Sequence, residues 1–469
     1  MARFVKGSLK FTSRKFSGDK YGFRMDTLRV LLLAVLLTVI AGISTTHAQT
    51  MLSLQECINR ALVQNLDVKH AKFGLEKARE SVDEVASGLY PQIEATGSYR
   101  YHLELPTELV PAEIFGGEPG TYREVSLSSP QTVTGAVQLN QVLFDGQLLM
   151  GLKAAKVSTD VSQLQIMQTK EEVVYNVSAT YYNIQTLTEQ VAVLKENLES
   201  NKKLISATKI MLENELISNI DYNRLLVNSE NIRAELETAQ NNRKKHLTLL
   251  RYLMGTDLEE KIRLSPLSET VPSIVPKAET TELGSHTELE LLQRQQRLAE
   301  LEKKSLKASY LPTLSAGINY GYQGNYDSFD PFATKLNPTS LFSVSLRVPI
   351  FDGFNRSSKI SQKNIEIDQY QNRIRQQKRT IRKEVSDALA DYQSNLSTLR
   401  SQRANRALAE KIYDDTRLQY QNGLASLTDV LNAETEMQQA QRNYLNALVK
   451  VHIAELDLDK AKGELLTND

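Results

Sequence analysis

The sequence predicts an α+β membrane protein in which a helix-strand-strand-helix repeat occurs twice, pairing short β-strands with very long helices. Three observations lead there. The chain of 469 residues carries the same order of signals over 89–255 and 310–463, with a period of about 200 residues that is far longer than that of a solenoid. Four stretches alternate apolar and polar residues with a period of two. Two proline-free runs, Gly146–Asn214 and Gly353–Asn422, keep helical spacing throughout.

The N-terminus is read as an address. Arg24 and Arg29 precede an apolar run from Val30 to Ile40, and the small-residue site Thr46-His47-Ala48 follows before Gln49. This is a secretory signal with cleavage expected after Ala48, because the run is too short to span a bilayer. The true start is either Met1, with a long basic leader, or Met25. Residues 1–48 contain eight of the 56 basic and two of the 56 acidic residues, so the mature chain carries net −6, no footprint for nucleic acid. Cys57 is the single cysteine, which excludes an internal disulfide and reads as a small buried hydrophobe.

After the signal, the first repeat occupies 49–255. It opens with a helix over Leu54–Gly88, then Leu89-Tyr90-Pro91 leads into a strand at about 92–104. There Ile93, Ala95, Gly97, Tyr99, Tyr101 and Leu103 share one face, and Gln92, Glu94, Thr96, Ser98, Arg100 and His102 the other. A Gly/Pro-rich loop, Pro106–Pro130, separates it from a less regular strand at about 132–143, which exits through Phe144-Asp145-Gly146. The second repeat, 285–469, copies this order. Its helix at 285–309 leads through Tyr310-Leu311-Pro312 to strands at about 313–323 and 340–350, with exit Phe351-Asp352-Gly353. Residues 256–284, with Pro266, Pro272 and Pro276, form the linker. Strands of about ten residues with one apolar and one polar face suit an outer-membrane barrel with a polar lumen, and equally a soluble sheet packed on helices.

The helices decide between these. Each long run reaches roughly 100 Å at 1.5 Å per residue. Its apolar residues, Val177, Tyr181, Ile184, Leu187, Val191, Leu194 and Leu198 in one copy and Ile381, Val385, Leu389, Tyr392, Leu396 and Leu399 in the other, make a narrow seam suited to coiled coils. Matching turns follow, Leu216-Ile217-Ser218-Asn219-Ile220-Asp221 and Leu424-Ala425-Ser426-Leu427-Thr428-Asp429, and the chain returns to Gly255 or Gly463, 34 residues past each aspartate. Four strands cannot close a barrel, and open edges in lipid leave backbone groups unsatisfied at several kcal/mol each. Oligomerisation is therefore required, and three chains supply twelve strands.

The signal peptide, the duplicated order, the Tyr/Leu-Pro entries, the Phe-Asp-Gly exits, the opening segment Leu52-Ser53-Leu54-Gln55-Glu56, and the closing run Tyr420-Gln421-Asn422-Gly423-Leu424-Ala425-Ser426-Leu427-Thr428-Asp429 together resemble the TolC family of outer-membrane efflux proteins. The resemblance covers the whole mature chain. It implies a homotrimer whose 12-stranded outer-membrane barrel continues into a periplasmic α-helical barrel. The implied function is a passive exit duct for drugs, small molecules or proteins in an efflux pump or type I secretion system. The implied partners are a periplasmic adaptor (membrane fusion) protein, an inner-membrane transporter and outer-membrane lipid. It also implies that Asp221, Asp429 and Tyr420 constrict the entrance, and that Leu216, Ser218, Gly423, Leu424 and Ser426 form the turn tips where an adaptor docks. The family's arginine within the turn is Ala425 here, and a second family aspartate is Asn432, so a charge-linked closure lacks two of its members.

A plainer account of the aspartates runs beside this one. Ser218-x-x-Asp221 and Ser426-x-x-Asp429 are capping boxes, each worth about 1 kcal/mol without any channel. No paired-histidine spacing, phosphate loop or nucleophile elbow occurs, so no enzyme, metal or cofactor is expected. The alternative function is a periplasmic coiled-coil adaptor or scaffold bridging two membranes, but that architecture calls for one hairpin flanked by β-rich domains.

Overall fold

The structure, a computed structural model, describes residues 51–267, 286–327 and 335–466. The expected cleavage site after Ala48 and Pro272 and Pro276 of the linker lie outside the described residues. In chain order the elements are β1 (Met51–Leu52), α1 (Leu54–Gln64), α2 (Leu66–Ser87), β2 (Gln92–Tyr101), β3 (Glu108–Pro111), β4 (Tyr122–Val125), β5 (Gln131–Phe144), α3 (Gly146–Glu213), α4 (Asn219–Met254), β6 (Arg263–Leu264), α5 (Thr287–Ala308), β7 (Thr313–Tyr326), β8 (Asn337–Arg347), α6 (Asn355–Gln421) and α7 (Leu427–Lys462).

The four main strands form one antiparallel sheet in the order β2-β5-β7-β8, which leaves β2 and β8 as open edges. Register carries the apolar faces of all four into line. Ile93, Leu139, Ile318 and Phe342 make one cross-strand row, and Ala95, Val137, Tyr320 and Ser340 the next. The opposite face carries polar rows, Gln92-Asn140-Gly317-Ser343 and Ser98-Thr134-Gln323-Asn337. Because the side-chain period is two, a one-residue slip at any strand would break this agreement.

The strand limits correct the sequence reading in places. β2 stops at Tyr101, three residues early, where His102 N–H bonds Pro130 O across the loop. β5 adds one residue at each end and is bulged between Val142 and Phe144. β8 runs Asn337–Arg347 instead of 340–350; Pro349 has no N–H to continue a ladder. The loop expected over Pro106–Pro130 holds a small hairpin, β3 with β4, joined through a 3-10 turn at Ala112–Phe115. The linker, expected to be irregular, contributes β6, which pairs parallel with β1.

The helix expected over Leu54–Gly88 is broken at Asn65. That residue ends α1 and caps α2, its Oδ1 accepting from the N–H of Asp67 at 2.7 Å and Val68 at 3.2 Å while its Nδ2 donates to Leu253 O at 2.8 Å. Gly255, which ends α4, must stay small here. It holds φ +70°, and a Cβ would meet Gln64 O at 2.5 Å.

Packing follows the seams. Val177, Tyr181 and Ile184 of α3 bury against Cys57, Ile58 and Ala61 of α1 and Leu250 and Met254 of α4. Desolvation pushes the pKa of the buried Cys57 thiol up to about 12. Tyr392, Leu396 and Leu399 of α6 pack on Tyr444, Leu448 and Val451 of α7. The long helices thus form two hairpins, α3 with α4 and α6 with α7. Among the described residues no helix is long and apolar enough to cross a membrane.

Both faces of the sheet's edge strands are exposed. An arginine at Ile318 or Val344, on the apolar face, is expected to cost about 2–4 kcal/mol at mid-bilayer and to lower the yield of assembled oligomer extracted from membranes. Arginine at Ser315 or Ser345, which pair on the polar face, should leave the yield unchanged. Equal losses at both pairs of sites would show that the face does not meet lipid.

Candidate functional site at the helical tips

The two hairpin turns share one backbone plan. In the first, Asn214 Nδ2 donates to Ile210 O at 2.7 Å and Leu216 N–H reaches back to Met211 O at 2.9 Å. In the second, Asn422 Nδ2 donates to Leu418 O at 2.8 Å and Leu424 N–H reaches Gln419 O at 2.9 Å. Each helix end is thereby closed by a backbone bond spanning five residues, which needs a left-handed residue between. Gly423 supplies it with φ +75°, whereas in the first turn the same place is taken by Glu215 with φ +57°.

The serines then start the return helices. Ser426 and Asp429 complete a reciprocal capping box: Asp429 N–H donates to Ser426 Oγ at 3.2 Å and Ser426 N–H donates to Asp429 Oδ2 at 2.9 Å. Ser218 does half of this. It accepts from Asp221 N–H at 3.2 Å and donates its Oγ–H to Asp221 Oδ2 at 2.7 Å. The Ser426 hydroxyl and backbone N–H hold the Asp429 carboxyl below the usual carboxylate range. It therefore stays ionised in mild acid, and its capping contribution is present above the ordinary carboxylate pKa and lost as pH falls through the lowered value.

The residues singled out from sequence take different places. Asp429 is fully exposed and Asp221 half-buried, while Leu216 and Leu424 project at 70% and 79% exposure. Tyr420 is buried with Leu204, Leu225, Tyr413, Leu427, Val430 and Met437, its hydroxyl without a partner. It fills the tip's own core, with Ala425 packed against the same cluster. The two turns are bridged by Arg224, which donates to Thr428 Oγ1 at 3.3 Å.

The sequence reading missed the polar contents of the seam. Glu434 is only 1% exposed. It accepts from Asn228 Nδ2 at 2.8 Å and, at 3.4–3.5 Å, from Asn201 Nδ2. Seven residues on, Gln441 accepts from Asn197 at 3.1 Å and donates to Glu410 at 3.2 Å. The signal was present: Leu427, Val430, Glu434, Met437, Gln441, Tyr444 and Leu448 step by three and four, so two polar residues sit in core positions.

Comparison with known proteins places this geometry. A family model described as outer membrane efflux protein matches residues 57–256 and 282–464, one stretch per repeat. The chain is 19% identical over 447 residues to the outer membrane protein TolC of Escherichia coli (strain K12), covering 92% of this chain and 87% of that protein. It is 23% identical over 441 residues to the outer membrane efflux protein BepC of Brucella suis, covering 93% and 89%. The fold matches the crystal structure of the Campylobacter jejuni CmeC outer membrane channel with TM-score 0.72 at 18% identity, over 88% of this chain and 85% of that one.

The unequal turns supply a test. Nothing lies within 4 Å of a Cβ added at Gly423, so Gly423→Ala meets only the left-handed backbone penalty, about 1 kcal/mol. Glu215→Gly relieves a penalty of the same kind. Thermal unfolding should shift down for Gly423→Ala and up for Glu215→Gly; a downward shift for both would mean that the Glu215 side chain, and not its backbone, governs the first turn.

Proposed function

The chain belongs to the outer membrane efflux protein family, and we propose that it acts as a homotrimeric exit duct, passing solutes from a periplasmic adaptor and an inner-membrane transporter to the exterior. The observation that carries this is a single sheet with an apolar and a polar face and two open edges, continued by two long helical hairpins. Three copies joined edge to edge, β8 of one to β2 of the next, give twelve strands and no free edge. The polar rows then line a lumen, and the apolar rows meet lipid. An adaptor built as one hairpin between β-rich domains does not have this arrangement.

In this reading, export follows cleavage after Ala48, the β3-β4 loop faces outside, and the helical tips form the periplasmic entrance. Three copies of Asp221 and Asp429 place six carboxylates there, which raise the local concentration of cations. Exposed Leu216, Leu424 and Ile220 give the tips apolar points for an adaptor.

Two measurements check it. In planar bilayers, Asp221→Asn and Asp429→Asn should lower cation selectivity, and wild-type selectivity should weaken as salt shortens the Debye length. Wild-type ion preference in both variants would leave the aspartates as caps alone. Leu216→Asp with Leu424→Asp, substitutions at exposed positions and so within about 0.5 kcal/mol of neutral for folding, should keep the trimer in the membrane but restore drug sensitivity to cells that depend on it. An unchanged resistance would remove the tips from adaptor docking.

A further inference from the structure

Glu434 lies where the two hairpins meet. It belongs to α7, and its amide partners Asn201 and Asn228 belong to α3 and α4; Gln438, one turn along α7, approaches at 3.4 Å. Among the described residues it has no ion pair. Four basic groups along these helices pair elsewhere: Arg417 of α6 with Ser200 and Asp414, Arg224 of α4 with Thr428, Lys202 of α3 with Glu199, and Arg442 of α7 with Glu235. From α6 the facing groups are Tyr413, whose hydroxyl contacts Ser200 Oγ at 3.4 Å, and Arg417. Neither donates to the carboxyl. A buried carboxylate with no cation is expensive, and proteins relieve that cost by holding a proton.

The amide of Asn201 points to where the proton sits. Its Nδ2 approaches both Glu434 oxygens only at 3.4 and 3.5 Å, and its Oδ1 is buried without a partner. The two ends of an amide are distinguished by their hydrogen bonds. Turned end for end, Asn201 places Oδ1 against Glu434, where a carboxyl O–H can donate and a carboxylate cannot.

We infer that the two hairpins are tied at the tip by a proton held between Glu434 and Asn201, so that the tie holds in acid and loosens as the carboxyl ionises and releases its proton to water. The inference rests on the reading of these tips as the channel entrance only for its consequence, an entrance that opens more readily as pH rises. Desolvation raises the Glu434 carboxyl above its ordinary value of 4.5. A raised acid favours the closed arrangement fully below the ordinary value, and that preference is lost as pH rises through the raised one.

The test is amide hydrogen exchange on the assembled trimer in detergent, wild type against Glu434→Gln, over residues 197–230 and 410–441. The glutamine keeps the shape and can donate to Asn201 Oδ1 without titrating. At about pH 4.5 the two proteins should exchange alike, and at about pH 8 the wild type should exchange about tenfold faster for each unit by which the pKa is displaced. Equal protection at both pH values overturns the tie, whether or not the protein conducts. If Glu434→Gln fails to assemble, the wild type alone decides: exchange over 197–230 relative to 381–399 must rise with pH, and a constant ratio overturns the proposal. A pH-dependent tip in a protein with no bilayer conductance would leave the tie standing and sink the entrance reading.

Discussion

The unpaired backbone along Gln92–Tyr101 and Asn337–Arg347 is the constraint from which the rest follows. A strand edge in hydrocarbon leaves each free N–H and C=O unsatisfied at several kcal/mol, a deficit that no single-chain packing of this molecule can offset. The chain has paired its four strands with each other and has nothing left for the two outer ones. Identical copies solve the problem by symmetry, since a heterologous edge contact closes when its rotation does. The duplication within the chain fits this reading: two repeats contribute equivalent strand pairs and equivalent hairpins, so the proposed trimer would be built from six similar units.

The hairpins carry a second version of the same logic. Along α3 and α6 the apolar seam is narrow, and the helices are mostly polar around it, which suits a wall between two aqueous spaces. Midway, the seam is mainly apolar, with Val177, Tyr181 and Ile184 on one side and Tyr392, Leu396 and Leu399 on the other. Near the tips it admits Glu434, Gln441, Asn197 and Asn201. A polar residue in a coiled-coil core lowers stability and fixes register. The tip thus adds directional hydrogen bonds between the hairpins to an apolar core of its own.

Much of this was legible in the sequence. Alternation in Ile93 to Tyr101 and Leu314 to Tyr322 gave strand faces correctly because period two is a local property of the backbone. The serine and aspartate of each turn announced their caps for the same reason. Strand ends were harder, since the limit of β2 at Tyr101 depends on a bond between His102 and Pro130 across a loop. Asn65 was passed over because its side chain caps a helix break only with Leu253, 188 residues away, as its other partner. Tyr420 was assigned by family position to a constriction, yet its placement depends on how Leu225 and Val430 pack around it, which no local pattern encodes. Glu434 was a readable departure from the seam whose meaning needed Asn201 and Asn228 from the other repeat.

The tip also carries buried polar atoms without partners, Thr208 Oγ1 and Tyr420 Oη among them. Each such group costs about 1–3 kcal/mol relative to its hydrated state. Water entering between the helices there would satisfy them, which lowers the free energy needed to part the hairpins at the tip. Elements that move in a working protein come from its least stable parts. Ala425 joins the apolar cluster of the tip, and Glu434 and Arg224 link the two hairpins there by hydrogen bonds that water can replace one at a time.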